Sequence, residues 1–363
     1  MDTAALPIPP SSRAKLFAAG FRRLADLRKI SAVELAKESG LSQEEALHIL
    51  RVVNPAGDNG AMAGAKSALQ ILQIEKKRRR ITTCCETLDE ILGGGISPQE
   101  VTEICGVPGV GKTQLGIQLA ISVQRPEELG GLAGEAVYID TEGSFMVERV
   151  LEMADAWLAD VRREALSAQE PHLEASTSGL SAETVLSSIH YYRAYDYTEQ
   201  LAVVNVLPQL LKQHPKIRLL IIDSVTFHFR QDFDDMALRT RVLNGMSQKL
   251  MLLAEKHDVA VVLVNQVTTK VVGQNQSKLV PALGESWSHA CTNRVILFWM
   301  EGQRYGHIYK SPSLRAGTAP YFVTTEGIRA TPATNKRPWQ EQSASPSDLG
   351  SYRTEELGLS VAT

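Results

Sequence analysis

The sequence predicts an α/β protein: a mostly parallel central sheet with helices on both faces, preceded by a small N-terminal helical domain. Three observations carry this. Short apolar runs, VTEIC (101–105), AVYID (136–140), IRLLIID (217–223), VAVVLVNQ (259–266) and RVILFW (294–299), alternate with amphipathic stretches. Strands that are apolar almost continuously are those buried on both faces of a parallel sheet. A glycine-rich loop separates the first run from a helix-like stretch, QLGIQLAISVQ. Upstream, from Ser11 to Val53, apolar residues such as Leu16, Leu24, Leu27, Leu35, Leu47 and Leu50 recur at helical spacing, with breaks at Gly20 and Gly40.

Taken in order, residues 1–55 form the helical domain. Residues 56–83 form a linker, and the stretch from Asn54 to Gly64 around its start is rich in Gly, Ala, Asn and Pro, residues that populate turns and bury little. The α/β core spans 84–329. Within it, 164–182 is polar and rich in Ser, Ala and Glu, which predicts a surface insertion. Pro, Ser, Gln and Glu dominate 330–363 and predict a disordered tail. With 363 residues, 44% of them hydrophobic, the chain can bury a sizeable core in about two domains. A formal charge of −3 excludes a uniformly basic nucleic-acid coat but leaves a local basic patch open. The four cysteines, Cys84, Cys85, Cys105 and Cys291, lack paired metal spacing, and a reducing compartment fits them best. The N-terminus does not resemble an export signal, and the apolar runs are of strand length, so no membrane span is expected.

The loop Gly106-Val107-Pro108-Gly109-Val110-Gly111-Lys112-Thr113 follows a strand and precedes a helix, the context a phosphate-binding loop requires. Its glycines let backbone amides turn toward phosphates, Lys112 reaches the terminal phosphates, and the Thr113 hydroxyl can hold Mg²⁺. Asp223 closes the strand LLIID at the edge where parallel sheets bind ligands and would hold Mg²⁺ through water. Glu142, two residues beyond Asp140, is placed to polarise a water that attacks the γ-phosphate. Gln266, at the end of VAVVLVNQ, is placed to sense that phosphate. Capping roles for Asp223 and Glu142, and a solvated Gln266, are the competing readings.

Together, GVPGVGKTQ, YIDTEGSFMVER, LLIIDS and VVLVNQ resemble, in order and spacing, the RecA-like strand-exchange recombinases. The AAGF and KESGLSQEEALHIL segments match the small N-terminal domain of the eukaryotic branch, and the resemblance runs from about residue 11 to 329. ILGGG, TEICG, DTEGSFMVERV and LVPALGESWSHA resemble most the C-type paralogue of the eukaryotic recombinase. The resemblance implies a RecA-like P-loop ATPase core using ATP and Mg²⁺. It makes Glu142 the catalytic glutamate, with Lys112 and Gln266 beside it. Gln114, the last residue of GVPGVGKTQ, joins the nucleotide site, and Arg149 packs on adenine. His289 senses nucleotide across a subunit boundary. Phe229–Arg241 and a stretch from Val267 to about Glu285 match two DNA-facing loops, in which Arg230, Arg239, Arg241, Lys270 and Lys278 would contact phosphates. Ordinary solvated charge is the alternative for these five.

Three departures matter. Asp232, Asp234 and Asp235 would repel a DNA backbone. Recombinases join neighbours through an F-x-x-A linker motif whose Phe fills a pocket on the next subunit. Counted from ITT (81–83), that register reads Ala65-Lys66-Ser67-Ala68 here, and losing a buried Phe contact costs about 3–5 kcal/mol. This predicts a hetero-oligomer with related subunits and not a long homofilament. Lys310, in YKSP, replaces an Asp in the segment that caps a neighbour's ATP, where it supplies charge in trans or is merely surface charge. KKRRR (76–80) reads as a nuclear import signal, a DNA tether or a solvated face.

The implied function is a weakly hydrolysing, DNA-dependent ATPase in the nucleus. It would bind single-stranded or branched DNA together with other recombinase paralogues and the recombinase itself. Its work would lie in double-strand-break and replication-fork repair and in meiotic recombination. The alternative is a scaffold subunit with a structural ATP site. A helicase motor is disfavoured, since neither a second ATPase core nor a further basic path is evident.

Overall fold

The computed structural model describes residues 3, 6, 8–27, 30–53, 67–231, 233, 235–271, 277–284 and 286–330. The chain divides into two compact units, Met1–Lys77 and Arg78–Thr363.

The first unit is helical: α1 (Pro10–Ala18), α2 (Leu24–Leu27), α3 (Ala32–Ser39), α4 (Gln43–Val53) and α5 (Ala68–Lys77). A capping box starts α3, where the Ser31 hydroxyl accepts from the Glu34 N–H and the Glu34 side chain accepts from the Ser31 N–H. Gly40, in the left-handed conformation, ends it. Leu16, Leu27, Leu35, Leu41, Ala46 and Ile49 form the core. Leu47, although on the expected apolar stripe, is exposed. α5 falls inside the expected linker: Ser67 and Gln70 cap it reciprocally, and the run ALQILQIEKK consists mostly of good helix formers. Of the Ala65-Lys66-Ser67-Ala68 register, the first two residues lie outside those described; Ser67 is the cap and Ala68 opens the helix.

The second unit opens on Arg78–Thr83, a piece of the expected linker that joins the core. Ile81 is buried and exchanges backbone hydrogen bonds with Ile96. There follow α6 (Glu86–Ile91), β1 (Val101–Gly106), α7 (Lys112–Ser122), β2 (Glu135–Asp140), α8 (Val147–Ser167), α9 (Pro171–Ser178), α10 (Ala182–Ser187), β3 (Ile189–Arg193) and α11 (Tyr197–Gln213). The chain continues with β4 (Ile217–Asp223), α12 (Phe227–Gln231), α13 (Met236–His257), β5 (Ala260–Val271), β6 (Ser277–Pro281), β7 (Asn293–Met300), β8 (Gln303–Lys310), β9 (Thr318–Thr324) and β10 (Gly327–Arg329).

The sheet runs β10-β9-β8-β7-β1-β5-β4-β2-β3, with β6 paired to β5. From β7 to β3 neighbours are parallel; β8, β9, β10 and β6 pair antiparallel. Alternate residues of one strand serve two cores. Leu219 and Ile221 pack with Ile117, Tyr138 and Trp157, and Leu220 and Ile222 pack with Val204 and Leu250 on the other face. This is the period-two consequence of burying both faces.

Three segments differ from expectation. Residues 164–182 are mostly helical, in the end of α8 and in α9, because the Ala and Glu that make them polar are also compatible with helix. Much of the first expected loop, 229–241, is helix: Asp235 caps α13 by accepting from Ala237 and Leu238 N–H, and Phe229 is fully buried against Phe233 and Tyr197. The second expected loop begins as a hairpin, because Val267–Val271 is rich in β-branched residues and extends β5 to pair with β6. Asp232, Asp234 and the expected tail beyond Ala330 lie outside the described residues.

Candidate active site

Strand β1 delivers the phosphate loop and α7 receives it. Gly109 (φ 76°) and Gly111 (φ 107°) hold left-handed conformations, and a Cβ on Gly111 would meet Val323 at 2.9 Å. A Cβ on Gly106 would meet the Leu297 carbonyl oxygen at 2.7 Å. Glycine is therefore required for conformation at one end and for close approach at the other. The loop is braced from β9, where the buried Tyr321 hydroxyl donates to the Val110 carbonyl at 2.7 Å. Lys112 Nζ donates to the loop's own Gly106 and Val107 carbonyls at 2.9 and 3.0 Å. Burial lowers the Lys112 pKa, while Asp223 and Glu142 pull it back up, so the ammonium sits within the field of both acids.

Asp223 ends β4 beside Asp140, its register partner on β2. Burial pushes the Asp223 carboxyl up to about 6, against hydrogen bonds from Thr113 and from Tyr138, whose hydroxyl donates at 2.8 Å. Thr113 also lies 3.4 Å from the Ser144 hydroxyl. This donor set fits a nucleoside triphosphate with its magnesium: a loop cradle open at Gly109, an ammonium at its mouth, and a hydroxyl and a buried carboxylate side by side.

Glu142 is exposed, yet its position is specified. Its Oε1 accepts from the Ser224 hydroxyl at 2.6 Å and from the Gln266 amide at 3.0 Å. Beneath it the fully buried Asp140 accepts backbone N–H bonds from Glu142, Gly143, Ser144 and Phe145, and a hydroxyl bond from Tyr191. Gln266 in turn accepts from Arg230 through its Oε1 at 2.7 Å. A single line of contacts thus runs from α12 through β5 to the catalytic candidate: Arg230, Gln266, Glu142. Arg239 is half-buried beside Arg230; its pKa is lowered by burial and then by that neighbouring charge. Arg241 is exposed on α13. Lys270 and Lys278 are backbone register partners in the β5–β6 pairing.

Arg149, on α8, reaches Gln114 at 2.7 Å and the carbonyls of Thr324 and Thr325 at 2.5 and 2.6 Å. The guanidinium is thereby fixed beside the helix that follows the loop. His289 lies exposed in a 3-10 turn, Ser286–Ala290. Lys310 Nζ donates at 2.7 Å to the Cys291 carbonyl, two residues beyond His289, so those two candidates share one corner. No described contact joins that corner to Glu142 within the chain. The arginines of the basic run are engaged in structure: Arg78 bonds Gln99, Arg79 bonds Glu127 and the Gly131 carbonyl, and Arg80 bonds the Leu92 carbonyl.

Sequence reasoning missed the supporting acids. Asp140 had a local signal, an Asp followed by Thr-Glu-Gly, which favours side-chain capping of its own turn. Glu103 had another, a carboxylate inside the apolar run VTEIC. Fully buried, it accepts from Arg294, Asn265 and Trp287 and so ties the 3-10 turn carrying His289 to β1 and β5.

The loop, the glutamate and the amide all fall within the residues matched by one family. The model of the Rad51 family matches residues 75–168 and 172–331. The chain belongs to the Rad51 family. "DNA repair protein RAD51 homolog 3" of Cricetulus griseus is 47% identical over 336 residues, 90% of this chain and 92% of that protein. The protein of the same name in Dictyostelium discoideum is 44% identical over 265 residues, 72% of this chain and 69% of its own length. The resemblance to the C-type paralogue is thereby upheld. The gap in the Rad51 match, between 168 and 172, falls at the α8–α9 junction.

Proposed function

We propose that this Rad51-family paralogue works in DNA repair by homologous recombination as an ATP-binding, slowly hydrolysing subunit whose ATPase responds to DNA. The contact line Arg230–Gln266–Glu142 carries this reading, since it joins the segment matching a DNA-facing loop to the acid matching the catalytic glutamate. Bound Mg-ATP supplies a terminal phosphoryl group whose developing charge the metal neutralises. Gly109 and Gly111 leave loop amides able to turn outward, and Lys112 can exchange its two loop carbonyls for phosphate oxygens. Thr113 and Asp223 would hold the metal. Glu142 can accept a proton from water, and Ser224 and Gln266 orient its carboxylate for this.

DNA phosphates drawn to Arg230, Arg239, Arg241, Lys270 and Lys278 would compete for Arg230 and release the Gln266 amide. Nucleotide and DNA would then bias one equilibrium. His289 and Lys310 would complete a neighbour's site in trans. The exposed Leu69, Ile71, Leu72 and Ile74 of α5 support pairing with another subunit, and the absence of the Phe from the F-x-x-A register favours related subunits over a homofilament. The work is nuclear, but with Arg78, Arg79 and Arg80 engaged, the basic run reads better as structure than as an address. Among the described residues no helix is long and apolar enough to cross a membrane.

The test is ATP turnover by the chain with its copurifying partner subunits, with and without single-stranded DNA. Stimulation by DNA that is lost in Glu142→Gln, with ATP binding retained, is the expected result. A rate indifferent to both DNA and Glu142→Gln would leave the scaffold reading in its place.

A further inference from the structure

At the far end of the sheet from the phosphate loop, three side chains with no part in the nucleotide site converge: Glu135, His190 and His214. Glu135 opens β2 and His190 is the second residue of β3, adjacent strands in parallel register. His214 closes α11, and its backbone is fixed on both sides, its N–H donating to the Leu210 carbonyl at 2.8 Å and its carbonyl accepting from Ile217 at 3.1 Å. Asp140 lies five residues along β2 from Glu135, about 17 Å at the usual rise per residue.

We propose that Glu135, His190 and His214 form a binding site for one zinc-type divalent cation. The donor chemistry is a carboxylate oxygen and two imidazole nitrogens, a set that binds zinc and leaves a fourth position for water. The His190 Nε2 and Glu135 Oε2 atoms are 2.8 Å apart, the two rings meet edge to face with centroids 5.0 Å apart, and all three donor atoms lie within 4.8 Å of one another. Ligand atoms around a tetrahedral zinc, with bonds of about 2.0–2.2 Å, sit about 3.3–3.5 Å apart. The closest pair needs to open by about half an ångström and the widest to close by up to about 1.5 Å, movements within reach of rotamer adjustment.

A simple carboxylate–imidazole pair accounts for Glu135 and His190 but gives no reason for the second ring. Access also suits an ion: Glu135 and His190 side chains are each 24% exposed, while His214 is exposed outright. A bound ion would staple β3, the edge strand of the sheet, to β2 and to the end of α11.

The experiment titrates Zn²⁺ by calorimetry into the full, chelator-treated chain with its partner subunits. Mg-ATP is held in excess so that the phosphate site is filled. One saturable zinc equivalent per chain is expected, with at least tenfold weaker binding in His214→Asn and in His190→Asn. His214→Asn, at an exposed helix end, keeps the test valid should His190→Asn fold poorly. Zinc should raise the melting temperature of the wild type and leave that of His214→Asn unchanged. Absence of saturable uptake, or uptake of equal affinity in wild type and His214→Asn, overturns the proposal.

Discussion

The floor of the candidate nucleotide site and its outer edge are built by opposite means. Asp140, Asp223, Tyr138 and Tyr321 form the floor; they are buried, and their hydrogen bonds reach backbone groups, one another and neighbouring side chains such as Tyr191 and Thr113. The edge is Arg230, Gln266 and Glu142, exposed or half-buried side chains joined end to end. A hydrogen bond to a charged group contributes about 1.5–3 kcal/mol when desolvated, whereas exposed polar pairs contribute about 0.2–1 kcal/mol and weaken with salt. The fixed part thus supports the loop and carboxylate proposed to hold Mg-ATP, and the yielding part is the one proposed to report on it. Population shifts belong where the energy differences are small.

The largest effect expected from breaking this contrast is on the chemical step. Glu142→Gln keeps an acceptor for Ser224 and Gln266 but removes the base, so kcat should fall by about 10²–10⁴ while ATP affinity holds; single-turnover kinetics and equilibrium binding separate the two. On the floor, Asp140→Asn halves the acceptor capacity for four backbone N–H groups. A loss of about 2–4 kcal/mol in unfolding free energy follows, measurable by denaturant titration, with hydrolysis falling as the Glu142 turn loosens. If Asp140→Asn left both unchanged, the floor would not be the fixed part.

A smaller effect concerns a buried acid with fewer partners. Asp89, on α6, accepts the Thr83 N–H at 2.8 Å, and burial pushes its carboxyl up to about 6. The raised value means that the folded state holds this proton more tightly than the unfolded state. Its contribution is therefore most favourable below the unfolded value of 3.8 and is lost as pH rises through about 6. Asp89→Asn should remove that decline, at most about 3 kcal/mol, seen as a flatter dependence of melting temperature between those two pH values.

What the sequence disclosed follows the same division. The phosphate loop, Glu142 and Asp223 were legible because conformation and chemistry there reside in contiguous residues, and the helical domain because its period is local. The Arg230–Gln266 bond was not, because 36 residues of chain separate its members and nothing local marks them as partners. Phe229 opens the segment that matches a DNA-facing loop, yet an aromatic cluster with Tyr197 and Phe233 takes it into the core. The antiparallel strands β8, β9 and β10 escaped because runs such as QRYGHIYK alternate in burial instead of being apolar throughout. The arginines of KKRRR were ambiguous because their partners, among them Gln99 and Glu127, are remote in sequence.

The smallest prediction separates the two roles an arginine can have at the edge. Arg241 is exposed on α13; if it touches DNA it does so as one phosphate contact, so Arg241→Ala should weaken DNA binding and lower its salt dependence by about one counterion. At saturating DNA its stimulated ATPase rate should equal that of wild type. Arg230 also holds Gln266, so Arg230→Ala should free the amide whether or not DNA is bound. The DNA-free rate then shifts by a few-fold, about 1 kcal/mol of coupling, and saturating DNA no longer changes it. Arg230→Lys, which keeps the charge but not the planar geometry, should restore binding more than coupling. Titrating DNA against the ATPase rate for all three variants reads affinity from the midpoint and coupling from the plateau. Should Arg230→Ala move only the midpoint, as Arg241→Ala is expected to, then Arg230 is one more phosphate contact and Gln266 takes its signal from β5 alone.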